Sequence, residues 1–111
     1  MKQLLMLSLS LLTFSSHGMA TGDYYEIEKI QIWSDYTNGT FKVLLRDQDA
    51  ASNDLCPSGY WLDGGDSKNS NVLSVALSAY HAKAKVRIHA DQSQDWHGLN
   101  TKECKILLIE L

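Results

Sequence analysis

Apolar and polar residues alternate along much of this chain, and in one stretch the alternation gives way to a helical period. The first alternating stretch runs from Tyr24 to Tyr36. Its apolar positions are Tyr25 and Ile27, then Ile30 and Ile32, so the parity switches near Glu28-Lys29. One extra residue in a strand produces such a switch, which predicts a β-bulge and a bend. Thr37-Asn38-Gly39 then supplies a hairpin turn, because Asn-Gly tolerates the positive φ angles of a type I′ loop. Phe41, Val43 and Leu45 alternate with Thr40, Lys42 and Arg46, predicting a second strand with one side in water. Asp47 to Pro57 is polar and reads as a surface loop. Ser58 to Asp63 reads as a short aromatic third strand, closed by Gly64-Gly65. Alternation there assigns one of Tyr60 and Trp61 to the core.

From Asn71 the period becomes helical. Val72, Val75, Ala76 and Ala79 form one stripe, and Leu73, Leu77, Tyr80 and Ala84 form a second beside it. Ser70 or Asn69 can cap the start. The third side carries Ser74, Ser78 and His81, small and hardly charged, which predicts a helix covered on most sides or packed against another copy of itself. Val86, Ile88 and Ala90 alternate with Lys85, Arg87, His89 and Asp91 in a fourth strand. A second polar loop, Asp91 to Thr101, leads to Lys105–Leu111, which is apolar on both faces and should be covered on both. Three strands, one helix and two strands, with a bent first strand, predict a mainly β fold with one α-helix. The predicted architecture is a five-stranded Greek-key barrel of OB type, in the order β-β-β-α-β-β.

The first twenty residues belong to a different category. Lys2 precedes an apolar run from Leu4 to Phe14, and Gly18-Met19-Ala20 places small residues where a signal peptidase reads. Residues 1–20 are therefore expected to be a secretory signal peptide, the apolar run being too short for a membrane span. A mature chain from Thr21 has roughly ninety residues, enough for one small domain over 21–111. Ten Lys and Arg against thirteen Asp and Glu give a formal net charge of −3, without a basic cluster. That balance argues against nucleic-acid binding, which needs clustered cations to neutralise phosphates. Cys56 and Cys104 can form one internal pair, and export to a secreted or periplasmic location favours a disulfide. It would close a loop of about 49 residues, a constraint that the chain-entropy model values at about 4 kcal/mol.

The segment Asn69 to Asp91, NSNVLSVALSAYHAKAKVRIHAD, resembles B subunits of AB5 toxins of the subtilase-cytotoxin and pertussis-like type. The likeness lies in the helix that carries Ala79-Tyr80, the short turn, and the Val86-Arg87-Ile88 strand. It covers about a quarter of the chain after the leader, the rest agreeing in element order. The resemblance implies an exported, disulfide-bonded OB fold that assembles as a pentamer, binds cell-surface glycans, and partners a catalytic A subunit. Two positions differ from the sialic-acid-binding pattern. Ala90 falls where that pattern has an aromatic, and Glu26 where it has a small hydroxyl side chain, a carboxylate that would repel an anionic sugar.

No sequence motif positions a catalytic group. Ser93 with Asp95 and His97, or Glu26 with Glu28, could be assembled on paper, but neither follows a spacing that places a nucleophile on its base. His89-Ala90-Asp91 and Asp95-Trp96-His97 lack a recognised metal-ligand spacing. Asp63 to Asn69 lacks the terminal Glu of a calcium loop and reads as a turn feeding the helix. Neither catalysis, a metal nor a cofactor is expected. Aromatic residues beside polar ones are the better signal, because a ring stacks on a sugar or anchors a protein while its neighbours bind hydroxyls. Trp96 and His97, Trp33 and Tyr36, and His89 with Asp91 are the candidate ligand contacts. The expected function is a self-associating module that binds a glycan or a protein surface. The alternative is a monomeric periplasmic inhibitor or accessory protein.

Overall fold

The computed structural model describes residues 19–34, 37–96 and 101–111. Residues 1–18 of the expected signal peptide therefore lie outside the described residues, as do Tyr36 and His97. The elements are β1 (Met19–Thr21), β2 (Tyr25–Ile32), β3 (Phe41–Leu45), α1 (Ala50–Leu55), β4 (Tyr60–Leu62), α2 (Ser70–Ala82), β5 (Lys85–Asp91) and β6 (Cys104–Glu110). The strands form one six-stranded sheet in the order β1-β5-β2-β3-β4-β6, and a further β5–β6 pairing closes it into a ring. All pairings are antiparallel except β4–β6.

The bulge falls where the parity of the apolar residues switches, between Ile27 and Lys29 on β2. It frees the start of β2 to pair with β5 through Tyr25–Val86 and Glu26–Lys85, while the rest pairs with β3. Inside the ring lie Ile27, Phe41, Val43, Leu62, Val86, Ile88 and Ile106. The first helical stripe covers this core, with Ala76 and Ala79 buried. Tyr60 is buried and Trp61 faces outward, as the alternation predicts.

Several elements differ from the reading of the sequence. Asn38 and Gly39 do take positive φ, 58° and 71°. The β2–β3 connection is nevertheless longer than a two-residue turn, since Trp33 N donates to Thr40 O and the amides of Thr37 and Gly39 both donate to Ser34 O. The polar stretch after β3 contains α1, whose first turn is capped by the Asp49 carboxylate accepting from Ser52 N. Six residues are too few for a helical period to register. Neither Asn69 nor Ser70 caps α2 by its side chain. A 3-10 turn at Ser67–Asn69, capped by Asp66, leads into the helix instead. An additional strand, β1, pairs Ala20 with Ala90. In the single chain Leu77 and Tyr80 of α2, and Leu107 and Leu108 of β6, are exposed rather than covered.

Cys56 and Cys104 are bridged, with their Cα atoms 5.5 Å apart. The bridge ties the end of α1 to the first residue of β6. Backbone bonds from Ser58 N to Lys102 O and from Cys104 N to Gly59 O reinforce this junction. Gly59 is required there: its φ is +97°, and a Cβ would stand 2.8 Å from Val43 O.

Candidate functional site

The largest correction concerns the side of β3 that alternation assigns to water. Thr40 and Lys42 are both buried, each 3% exposed. Lys42 does point away from the core inside the ring, across from Gln31 on β2 and Trp61 on β4. Gln94, Asp95, Trp96 and Glu103, from the stretch after β5, lie over this outer face and make a second, polar interior. Lys42 Nζ lies 2.6 Å from Glu103 Oε2, and the Glu103 side chain has no exposed surface. Glu103 N donates to Asp95 Oδ1, and Trp61 Nε1 donates to Gln94 O, which pins the segment down.

Above the ion pair the rings of Trp33 and Trp96 meet, their centroids 5.3 Å apart, and Lys42 Nζ is 5.6 Å from the Trp96 centroid. The structure thus brings together two of the sequence-derived candidates, Trp33 and Trp96, over a buried cation. An attractive ring–cation contact of this kind is worth about 0.5–2 kcal/mol. Burial pushes the Glu103 carboxyl above the usual glutamate range, although hydrogen bonding and charge from Lys42 pull it back. Glu103 Oε1 and Trp33 Nε1 are buried without a hydrogen-bond partner among the described residues.

His89 and Asp91 are engaged differently. His89 Nδ1 is 2.9 Å from Thr21 Oγ1, and its Nε2 is 2.6 Å from Glu110 Oε2, so the imidazole bridges β1, β5 and β6. The Asp91 carboxylate accepts from the amide and hydroxyl of Ser93 and from Gln94 Nε2, holding the turn after β5. The Asp63 loop is likewise a turn: Asp63 Oδ1 accepts from Gly65 N and from Asn38 Nδ2. Among the described residues no group of three His, Cys, Asp or Glu side chains could hold a metal ion.

A hollow of about 280 Å³ opens elsewhere, lined by Tyr24, Tyr25, Glu26, Arg46, Asp47 and Lys85. That is near the small end of the roughly 300–1,000 Å³ typical of ligand pockets. A second hollow of about 240 Å³ shares Glu26 and Arg46 with it and continues past Ile27 to Tyr80, His81 and Lys83 at the end of α2. The β2–β5 pairing sets Glu26 opposite Lys85, and Arg46 N donates to Glu26 O. Asp47 follows with φ +56°, a left-handed turn that aspartate tolerates better than most residues. Tyr25 is fixed by donating to Asp49 Oδ2 at 2.8 Å while accepting from Asp49 N at 3.2 Å. The bond from Ser52 N, and after it the one from the Tyr25 hydroxyl, hold the Asp49 carboxyl below the usual range. Arg87 stacks on Tyr24, 4.8 Å from its centroid.

Among the described residues, Glu26, Arg46, Asp47 and Lys85 join none of the side-chain ion pairs, which are Lys42–Glu103, Arg87–Glu110 and His89–Glu110. Two anions, two cations and two phenol rings therefore line one hollow without neutralising one another by direct contact. In the sequence Glu26 stands as an obstacle to an anionic sugar and as a possible partner of Glu28. Tyr24, Tyr25, Arg46, Asp47 and Lys85 are not among the candidate ligand contacts read from the sequence. The adjacent tyrosines were the available signal, since alternation sends neighbouring strand residues to opposite faces. Comparison with family models, curated proteins and solved structures finds no match for this chain.

Proposed function

We propose that this chain is an exported, non-catalytic binding module of OB type that self-associates and holds a neutral glycan in the Tyr24–Lys85 hollow. The observation that carries the ligand class is the set of four charged side chains around that hollow, Glu26, Arg46, Asp47 and Lys85, that join no ion pair among the described residues. Carboxylates accept from sugar hydroxyls, Arg and Lys donate to them, and a phenol ring covers the apolar face of the sugar. Two charges of each sign favour a neutral polyhydroxyl ligand over an anionic one, in agreement with the repulsion expected from Glu26. The parallel β4–β6 contact, the closing β5–β6 pair and the helix between β4 and β5 support the OB-type reading, with β1 as an addition. The disulfide is consistent with an oxidising compartment outside the cytoplasm. No helix among the described residues is long and apolar enough to cross a membrane.

The self-association reading draws on the exposed apolar residues Leu77, Tyr80, Leu107 and Leu108. The same exposed helix face keeps the second reading in play, a monomeric inhibitor or accessory protein that seats α2 on a partner. A catalytic A subunit belongs to the toxin-like version of the first reading.

The ligand claim is tested on a glycan array followed by calorimetry. Arg46→Ala is expected to weaken binding of the selected neutral glycan at least tenfold, since hydrogen bonds to charged groups contribute about 1.5–3 kcal/mol. The exposed arginine makes no ion pair, so the melting temperature should stay within about 2 °C, the shift expected of a surface change below 0.5 kcal/mol. Unchanged affinity would remove the hollow from the account, and binding restricted to sialylated glycans would overturn the neutral-ligand claim.

A further inference from the structure

If the chain is exported, as proposed above, the leader must be cut somewhere, and the fold bears on where. Cleavage after Ala20 fits the small residues Gly18 and Ala20. Ala20, however, is 5% exposed and belongs to the core, and it pairs with the fully buried Ala90. Its neighbours Met19 and Thr21 pair with Asp91 and His89. Thr21 also reaches His89 Nδ1 through its hydroxyl, and the same imidazole holds Glu110. Cutting after Ala20 would remove two of the three residues of β1. It would leave a void where the Ala20 methyl packs and strip the β5 edge at Ala90 and Asp91 of its partner. Buried backbone groups without partners are costly, and a bare strand edge invites unwanted pairing.

Two residues upstream the chain offers the same pattern of small residues, Ser16 and Gly18, with one residue between them. We infer that the leader is cleaved between Gly18 and Met19, so that the mature protein begins with β1 intact. The signal peptide then ends directly before β1, and the expected start at Thr21 moves to Met19. The specificity of the peptidase permits both positions, and the packing of Ala20 favours the upstream one.

The test is N-terminal sequencing and intact-mass measurement of the protein recovered from the medium or periplasm of cells expressing the full chain. A mature chain starting Met19-Ala20-Thr21 is expected, heavier than a Thr21 product by one Met and one Ala residue. A homogeneous product starting at Thr21 overturns the inference while leaving export in place. A chain retained in the cell at its full precursor mass overturns the export reading on which the inference rests.

Discussion

Removing either member of the buried Lys42–Glu103 pair is expected to cost about 3–5 kcal/mol, because the other charge stays behind without a partner. Glu103→Leu strands the Lys42 ammonium beneath Trp96, and Lys42→Met strands a carboxylate that already has one unpartnered oxygen. Replacing both by apolar residues of similar size, Lys42→Met with Glu103→Leu, should recover most of the loss. Desolvation of two charges is then no longer required, and such replacements are often neutral or stabilising. Urea unfolding of the two single variants and the double variant gives the cycle directly. Two singles that each lose under about 1 kcal/mol would mean that water reaches the pair.

The same carboxylate sets a pH dependence of unusual sign. The folded-state pKa of Glu103 is raised above its unfolded value, with burial as the main cause. Its contribution to stability is therefore complete below the unfolded value and is lost as pH rises through the folded one. Asp49 acts in the opposite sense: its pKa is lowered by the helix cap and Tyr25, so its contribution is lost as pH falls. Glu103→Gln should remove the decline above the ordinary glutamate range and leave the acid-side loss intact.

Loss of the Cys56–Cys104 bridge is the other large effect. The bridged residues are 48 apart, and opening the loop they close is expected to cost about 4 kcal/mol. Small domains have only about 5–15 kcal/mol in total, so the reduced protein should be close to its unfolding threshold. The damage should also spread locally. Cys104 directly follows Glu103, and the adjoining backbone bonds join the segment before β4 to the start of β6. Cys56→Ser with Cys104→Ser is expected to lower the urea midpoint strongly. A loss below about 1 kcal/mol would show that the ring closes without the bridge.

The parts of this fold legible in the sequence are those decided by neighbours a few residues apart. The parity switch at Glu28-Lys29 located the bulge, and the stripe through Ala76 and Ala79 located the buried side of α2. Lys42 shows where such reasoning stops. Alternation correctly placed it off the core inside the ring, but whether that face is wet depends on Glu103, about sixty residues later, which local periodicity does not register. The hollow was hidden for a related reason. Glu26 and Lys85 become neighbours only through the β2–β5 pairing, and the left-handed turn at Asp47 has no glycine to announce it. By sequence Trp33 and Trp96 are candidate ligand contacts, and their meeting over Lys42 gives them a structural role that local periodicity does not register.

The exposed Leu77, Tyr80, Leu107 and Leu108 make self-association the claim on which the functional account turns. Light scattering of the processed protein over a range of concentrations tests it most directly. The account predicts a discrete particle of several subunits whose mass holds on dilution. A particle no heavier than one chain, 12.4 kDa before processing, at every concentration would contradict it.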